Sequence, residues 1–470
     1  MYAAASLTAL VLSVTSSGET PEWGGFRGNN GAGVARSKGI PEALDPEANI
    51  LWRTEIPTGY SSPVISGEDL FVTGSKGSEL STLCLERHTG AVRWQSVLEF
   101  DGKRIGQNSP ASPTPATDGE RVYVLFDAVG LLAYDMEGDE VWRAELGPIN
   151  IPHGLATSPL LYGDAVIVLV DQDQDAYLAA FNKTTGEQLW RTERRGVTHG
   201  YSTPAIFAPE SGAAQIVVSG SLQIAAYSVA DGKKLWWVDG SSWQTKSVPV
   251  FSDGICYVNA YMVPSSEFGV QAGAPWDEVL AERDADGDGK VAKDEWDDQT
   301  MHMLWPIFDL NDDGYLETED YEYIQRSGTA TGGLFAIDPG GKGDVTKSHV
   351  KWMFDDRRGL PDCPSPLALD GQLYVIKEGG LMTAFDGQTG AVGKQGRVAD
   401  PDRYFASPVA AAGRIVTASV SGQLAVISAG SEWEVLSVND LEEEIWSTPA
   451  IAGEQVFVRT GQAVYCFQDL

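Results

Sequence analysis

The chain has 470 residues, with 33 Lys+Arg against 66 Asp+Glu, a formal net charge of −33 and a pI near 4.4. So acidic a chain excludes general nucleic-acid binding, which requires a basic surface, and disfavours docking on anionic lipid. Hydrophobic residues make up 43%, and 52 Gly and 14 Trp give the turns and large packing residues of a β-rich fold with a sizeable core.

Residues 1–18 open with an uncharged apolar run, Met1 to Val14, followed by small polar residues. They read as an export signal lacking the usual basic start, since the first positive charge is Arg27. The run is too short for a membrane span. Residues 19–48 form an extension, and the first strand is expected at Asn49-Ile50-Leu51-Trp52.

A repeat then organises the chain. A Ser/Thr/Val-Pro step precedes an apolar run at Ser62-Pro63, Ser112-Pro113, Ser158-Pro159, Thr203-Pro204, Val248-Pro249, Ser365-Pro366, Ser407-Pro408 and Thr448-Pro449. The prolines are spaced by 50, 46, 45, 45, 117, 42 and 41 residues. Each unit reads as short strands: one after the Pro, one after a Gly/Asp turn, a third ending in a tight turn, and a fourth carrying Trp. Trp94, Trp142, Trp190 and Trp236 stand four residues after a turn glycine. Trp352 and Trp433 hold looser equivalents, and Lys394 takes the slot in the sixth unit. The last unit has three strands, and the chain starts with an unpaired fourth. The two ends therefore complete one another in an all-β, eight-bladed propeller, residues 49–470, closed by N- and C-terminal strands in one blade. The tryptophans then fill the wedges between blades as core residues. Cys84 and Cys466 occupy a repeated Ala position and read as small buried residues. With Cys256 and Cys363 they form no CxxC pair, which excludes a zinc ribbon and a thioredoxin-like motif.

The long spacing holds an insert, residues 265–331, in blade five. Between Asp277 and Glu322 stand 17 acidic and 3 basic residues, a net of −14. Asp284, Asp286, Asp288, Lys290 (through its carbonyl) and Glu295 fit an EF-hand calcium loop, with Gly289 at its sharp turn. A second loop offers Asp309, Asn311, Asp313, the Tyr315 carbonyl, Glu317 and Asp320. Its final Asp is shorter than Glu, which implies weaker Ca²⁺ binding or tolerance of Mg²⁺. Trp276, Val279 and Leu280 lie on one face of a helix before the first loop. Val291 and Leu316 are placed to pair across a two-stranded bridge, and Pro306 is expected to kink or shorten the helix between the loops.

The pattern A-x-D-x-x-T-G-x-x-x-W, with the leader Trp23-Gly24-Gly25-Phe26-Arg27-Gly28 and Ser61-Ser62-Pro63, resembles the PQQ-like (quinoprotein-type) β-propeller repeat family, of BamB-like type. The resemblance covers Trp23 to Leu470 apart from the insert. It implies an eight-bladed propeller that is periplasmic or secreted, with another cell-envelope protein as its partner. It does not imply bound PQQ, because the quinoprotein alcohol dehydrogenases carry adjacent cysteines near the cofactor and no two cysteines here are adjacent. Blade geometry puts the insert on the face of His153, His199, Tyr201, Lys246, Asp362, Arg403 and Tyr404, overhanging the central funnel. HExxH, GxSxG and GxxxxGK[ST] motifs are absent from the sequence. The expected function is therefore a calcium-binding, non-catalytic interaction scaffold. The alternative is a quinoprotein-like dehydrogenase, or another enzyme, working at the funnel.

Overall fold

The computed structural model describes residues 21–102, 106–268 and 273–469. The expected export signal lies outside the described residues. Among these, the strands form eight four-stranded antiparallel blades, one extended by a short fifth strand, and a separate two-stranded ladder. Blade one runs Val64–Ser66, Asp69–Lys76, Glu79–Glu86, Val92–Glu99. The eighth joins Ala450–Ala452, Gln455–Arg459 and Ala463–Phe467 to the N-terminal strand Ile50–Glu55, with Ile50 opposite Phe467 and Glu55 opposite Ala463. The ring is thus closed by pairing of the chain's two ends, as the incomplete first and last units require.

Inner strands are tied blade to blade by side-chain hydroxyls. The Ser62 amide donates to Thr114 Oγ1, Thr114 to Ser158 Oγ, and Ser158 to Thr203 Oγ1, all at 2.9–3.0 Å. The Val248 amide donates to Ser365 Oγ, Ser365 to Ser407 Oγ, Ser407 to Thr448 Oγ1, and Thr448 back to Ser62 Oγ, again at 2.9–3.0 Å. This is the physical content of the Ser/Thr-Pro step. A proline follows each of these residues, and the amide ahead of it is buried where no sheet partner reaches. The next blade's hydroxyl satisfies it. One sequence assignment shifts. In the second unit Thr114-Pro115, not Ser112-Pro113, holds the structural position. The circuit is interrupted once, between Thr203 and Val248, because valine carries no hydroxyl.

The outer wedges are filled by tryptophan. Trp52, Trp94, Trp142, Trp190 and Trp352 each donate Nε1–H to a backbone carbonyl of the next blade's turn, at 2.8–3.0 Å. Each indole lies flat on that blade's turn glycine, Gly90, Gly138, Gly186, Gly232 and Gly390, whose φ values are +71° to +93°. A Cβ there would stand only 2.5–2.7 Å from the ring. The glycine is needed twice, for its left-handed backbone and for its missing side chain. Two slots differ. Trp433 is not the fourth-strand residue of blade seven; it sits in the preceding turn and packs back on blade six. Its Nε1–H donates to the Lys394 carbonyl at 3.2 Å, and the Lys394 ammonium lies 4.7 Å from its ring centre. Lysine in the tryptophan slot is thus compensated from the neighbouring blade. Trp236 bonds Gln215 within its own blade at 2.7 Å, and Gly343–Asp344 adds a parallel fifth strand there.

The leader is part of this ring. Trp23 pairs with Ile65 of blade one, the Thr117 amide of blade two donates to the Gly24 carbonyl, and Gly33 and Ala35 pair with Ala410 of blade seven. These contacts lie toward the ends of innermost strands. The leader therefore closes the face opposite the loops between second and third strands, where the insert emerges. Asn30 accepts from and donates to the Ile206 backbone at 2.6 and 2.8 Å, and Gly31 lies against Val248. The leader thus covers the break in the hydroxyl circuit.

Gly186→Ala is expected to cost roughly 2–4 kcal/mol in urea unfolding, combining left-handed strain with a clash against Trp142. Gly67 also has positive φ, +57°, but a Cβ there meets nothing within 4 Å. Gly67→Ala should therefore lose only about 1 kcal/mol. Equal losses would refute the wedge contact.

Candidate metal centre

The insert leaves blade five between Ile255–Asn259 and Leu334–Ile337, which remain paired with each other. Its described residues form three α-helices, α1 (Trp276–Arg283), α2 (Gln299–Phe308) and α3 (Thr318–Thr329). Asp298 caps α2 by accepting from the Thr300 and Met301 amides at 2.7 and 3.3 Å. Pro306 falls near the end of α2, which continues to Phe308. Val291 pairs with Leu316, and Ala292 with Tyr315, in the antiparallel bridge the sequence places there.

The two loops are folded alike. In the first, Asp284 accepts from the Gly287, Asp288 and Gly289 amides at 2.7–3.2 Å. Glu295 accepts from Ala285 and Ala292 at 2.9 and 2.7 Å. In the second, Asp309 accepts from Asp313 and Gly314 at 3.2 and 2.9 Å, and Asp320 from Leu310 and Glu317 at 3.0 and 2.8 Å. First and last carboxylates thus close each loop on its own amides.

Their donor sets differ. One carboxylate oxygen each from Asp284, Asp286 and Glu295 lies within 4.8 Å of the others. This all-oxygen set fits a hard cation such as Ca²⁺. Asp288 is not among the three; it accepts from the Lys290 amide at 2.9 Å. In the second loop the Lys290 side chain crosses over, with its ammonium 3.3 Å from Asp313 and paired also with Glu317. The residue expected to lend loop one a carbonyl thus offers loop two a competing cation. Asn311 accepts from the Asp313 amide at 3.1 Å, and the Tyr315 amide donates to Asp313 at 3.0 Å. Burial pushes the Asp320 carboxyl up to about 6, against partial relief from two backbone amides. Asp284 moves the other way, because the Gly289 amide stabilises its charge.

The insert is docked rather than free. Val279, Val291, Trp296, Met301, Trp305, Phe308, Leu316 and Ile324 form one apolar cluster with Leu222 and Trp243 of the ring. Tyr323 on α3 is buried, its hydroxyl 2.8 Å from Thr198 Oγ1 and 2.6 Å from Ser221 Oγ. A cleft of about 300 Å³ runs along this seam, lined by Arg194, Arg195, Lys234, Glu319, Glu322 and Arg326 among others.

Beside Thr198, the funnel groups fall into separate arcs. His199 Nδ1 lies 2.5 Å from Asp173 Oδ1, with its ring edge-on to Trp243 and Tyr201. The His153 ring is tilted 31° to Tyr201, 6.0 Å from it, and burial and the nearby His199 and Lys246 hold its pKa below the ordinary range. Lys246 pairs with Asp362 at 2.5 Å. Arg403 belongs to another arc, 5.5 Å from the Trp446 ring centre, and Tyr404 is buried. Trp446 lies between Phe405 and Tyr60, at 4.8 and 5.0 Å. Sequence reasoning missed this aromatic row. The signal was present: Tyr60, Phe405 and Trp446 stand two residues ahead of the circuit hydroxyls, as Tyr201 does. Cys363 is the one cysteine in that slot.

A family model described as outer membrane protein assembly factor BamB matches residues 37–173, 174–300 and 319–470. No curated protein matches the chain. Among solved structures, BamB from Moraxella catarrhalis superposes with a TM-score of 0.54 at 12% identity, covering 89% of this chain and 98% of that one. The computationally designed Ika8 protein gives 0.52 at 10% identity, covering 89% and 100%. A quinohemoprotein alcohol dehydrogenase from Comamonas testosteroni gives 0.46 at 13% identity, covering 95% and 80%. At such identities the two likenesses above 0.5 speak to the fold alone.

Two predictions concern the second loop. The Asp320 pKa is raised in the folded chain, so the fold favours its protonated form, and this group costs stability as pH rises through about 6. A cation requires the carboxylate and must displace that proton. Calorimetry should therefore show loop-two Ca²⁺ affinity falling roughly tenfold from pH 7 to pH 5, with loop one changed less. Lys290→Met should tighten loop two by removing the competing ammonium while keeping the carbonyl of loop one. Unchanged or weaker binding would show that Lys290 does not compete.

Proposed function

Since the chain belongs to the family of the outer membrane protein assembly factor BamB, we propose that it is a protein-interaction scaffold of the cell envelope, periplasmic or secreted, bearing a calcium-dependent arm. The observation that carries this reading is the convergence of Asp284, Asp286 and Glu295 on an arm joined through α3 to the rim of the ring. Ca²⁺ in loop one, and a weaker Ca²⁺ or Mg²⁺ in loop two, would relieve repulsion among the acids and set the angles between helices. Two divalent ions add +4 to the window's −14, leaving −10. The partner surface is therefore expected to be basic. Among the described residues no helix is long and apolar enough to cross a membrane.

A second reading, an enzyme at the funnel mouth, draws on the buried His199–Asp173 pair beside Tyr201 and His153. Spectra recorded with PQQ and Ca²⁺ distinguish the two; a stoichiometric quinone complex would replace the scaffold reading.

The scaffold reading is tested on the full chain. Calorimetry should find two cation sites, of which Asp284→Ala removes one. Affinity capture from an envelope extract should recover a basic partner in Ca²⁺ and lose it in EGTA and with Asp284→Ala. EGTA should also open residues 284–320 to limited proteolysis while the ring's melting transition stays in place. Capture indifferent to both EGTA and Asp284→Ala would overturn the calcium-dependent arm.

A further inference from the structure

The leader that closes the channel buries hydrogen-bond donors for which the described residues supply no acceptor. Arg27 is 0% exposed and Trp23 1%. Arg27 Nη2 donates to the Pro366 and Pro408 carbonyls at 2.8 and 3.3 Å. Among the described residues its Nε and Nη1 have no partner, and neither has Trp23 Nε1. Guanidinium and indole are donors only, so what they lack is an acceptor.

The charge points the same way. Burial alone lowers the Arg27 pKa, to about 9, with no acidic neighbour offsetting it, so the side chain remains a cation at neutral pH. Arg194 pairs with Asp171 at 2.6 Å, and Arg87 with Gln455 and Glu22. Arg459 is likewise buried without a carboxylate, but both its Nη atoms donate, to Ser61 and Pro57, and among the described residues only its Nε lacks a partner. An interior cation without a counter-charge is among the costliest arrangements a fold can hold. Water could take the free N–H groups but brings no negative charge.

The backbone is shaped around this side chain. Arg27 has φ +58°, a left-handed conformation that non-glycine residues seldom adopt. At Gly33 a Cβ would stand 2.7 Å from Arg27 Nη2, and at Gly28 it would stand 2.8 Å from the Trp23 ring. Both glycines let the backbone pack directly on these two side chains, where no Cβ would fit. Around the same axis, the circuit hydroxyls accept from amides, which leaves their own protons available.

We propose that the closed end of the propeller channel binds a compact monovalent inorganic anion through the unpartnered donors of Arg27, with Trp23 Nε1 a further donor in the same turn. The site lies on the face opposite the insert and is independent of the calcium reading.

Thermal melts of the full chain in sodium bromide, nitrate and gluconate at matched ionic strength test it, gluconate being too large to enter. Bromide and nitrate should raise the Tm saturably over gluconate. Arg27→Met, which keeps length and removes charge, should abolish that difference. Crystals grown in bromide should show an anomalous peak within hydrogen-bonding distance of Arg27 Nε or Nη1. Equal melts in all three salts, an anion response retained by Arg27→Met, or water alone beside Arg27 in bromide crystals would overturn the proposal. Should Arg27→Met fail to fold, the bromide structure of the wild-type chain decides it.

Discussion

The hydroxyl circuit around the axis is the constraint on which the rest of the molecule depends. A closed ring of sheets brings the starts of eight innermost strands together, each with a backbone amide that no neighbouring strand can accept. Ser62, Thr114, Ser158, Thr203, Ser365, Ser407 and Thr448 resolve this by each presenting an oxygen to the blade before. The proline after each holds the backbone extended, which fixes where the hydroxyl stands. At the one interruption, Val248, the leader lies across the seam. The ring is thus closed by its terminal strands and covered at this seam by the leader.

Outward from the axis, blades diverge and the filling changes from hydroxyls to indoles. A flat ring on a bare glycine suits a wedge, because it packs on both faces and its one polar atom reaches a carbonyl at the tip. The ring can therefore accommodate a large insertion. Blade five keeps its ladder, Ile255–Asn259 against Leu334–Ile337, while the chain between them builds a core of its own. Loop-closure entropy grows slowly with length, so the cost of such an insertion is modest once it folds.

The insert and the leader place charge in different ways. On the open face, carboxylates gather on an arm rooted beside His199, and their repulsion calls for cations. On the closed face, a guanidinium is buried without a carboxylate. In a chain of net charge −33, an arginine buried without a carboxylate is not explained by any lack of acidic residues. Its surroundings come from the leader and the inner strands of blades six and seven, which contribute carbonyl oxygens there.

Blade number, ring closure, the tryptophan wedges and the paired loops of the insert were all legible in the sequence. Blades and loops rest on local spacing, since a strand pairs with the next one along and a calcium-type loop is twelve consecutive residues; closure was legible because the repeat leaves one unit incomplete at each end. What the tertiary structure decided are contacts between residues far apart in the chain. It set Thr114 rather than Ser112 in the circuit, since only neighbouring blades define which hydroxyl faces which amide. It turned Trp433 back onto Lys394, and it carried the Lys290 ammonium from one loop to the acids of the other. It folded the leader under the ring, where Arg27 meets Pro366 and Pro408 across more than 330 residues of sequence. It also assembled Phe405, Trp446 and Tyr60, from three different blade connections, into one row at the funnel. No periodicity encodes such meetings, because they depend on how a closed ring brings distant turns to one axis.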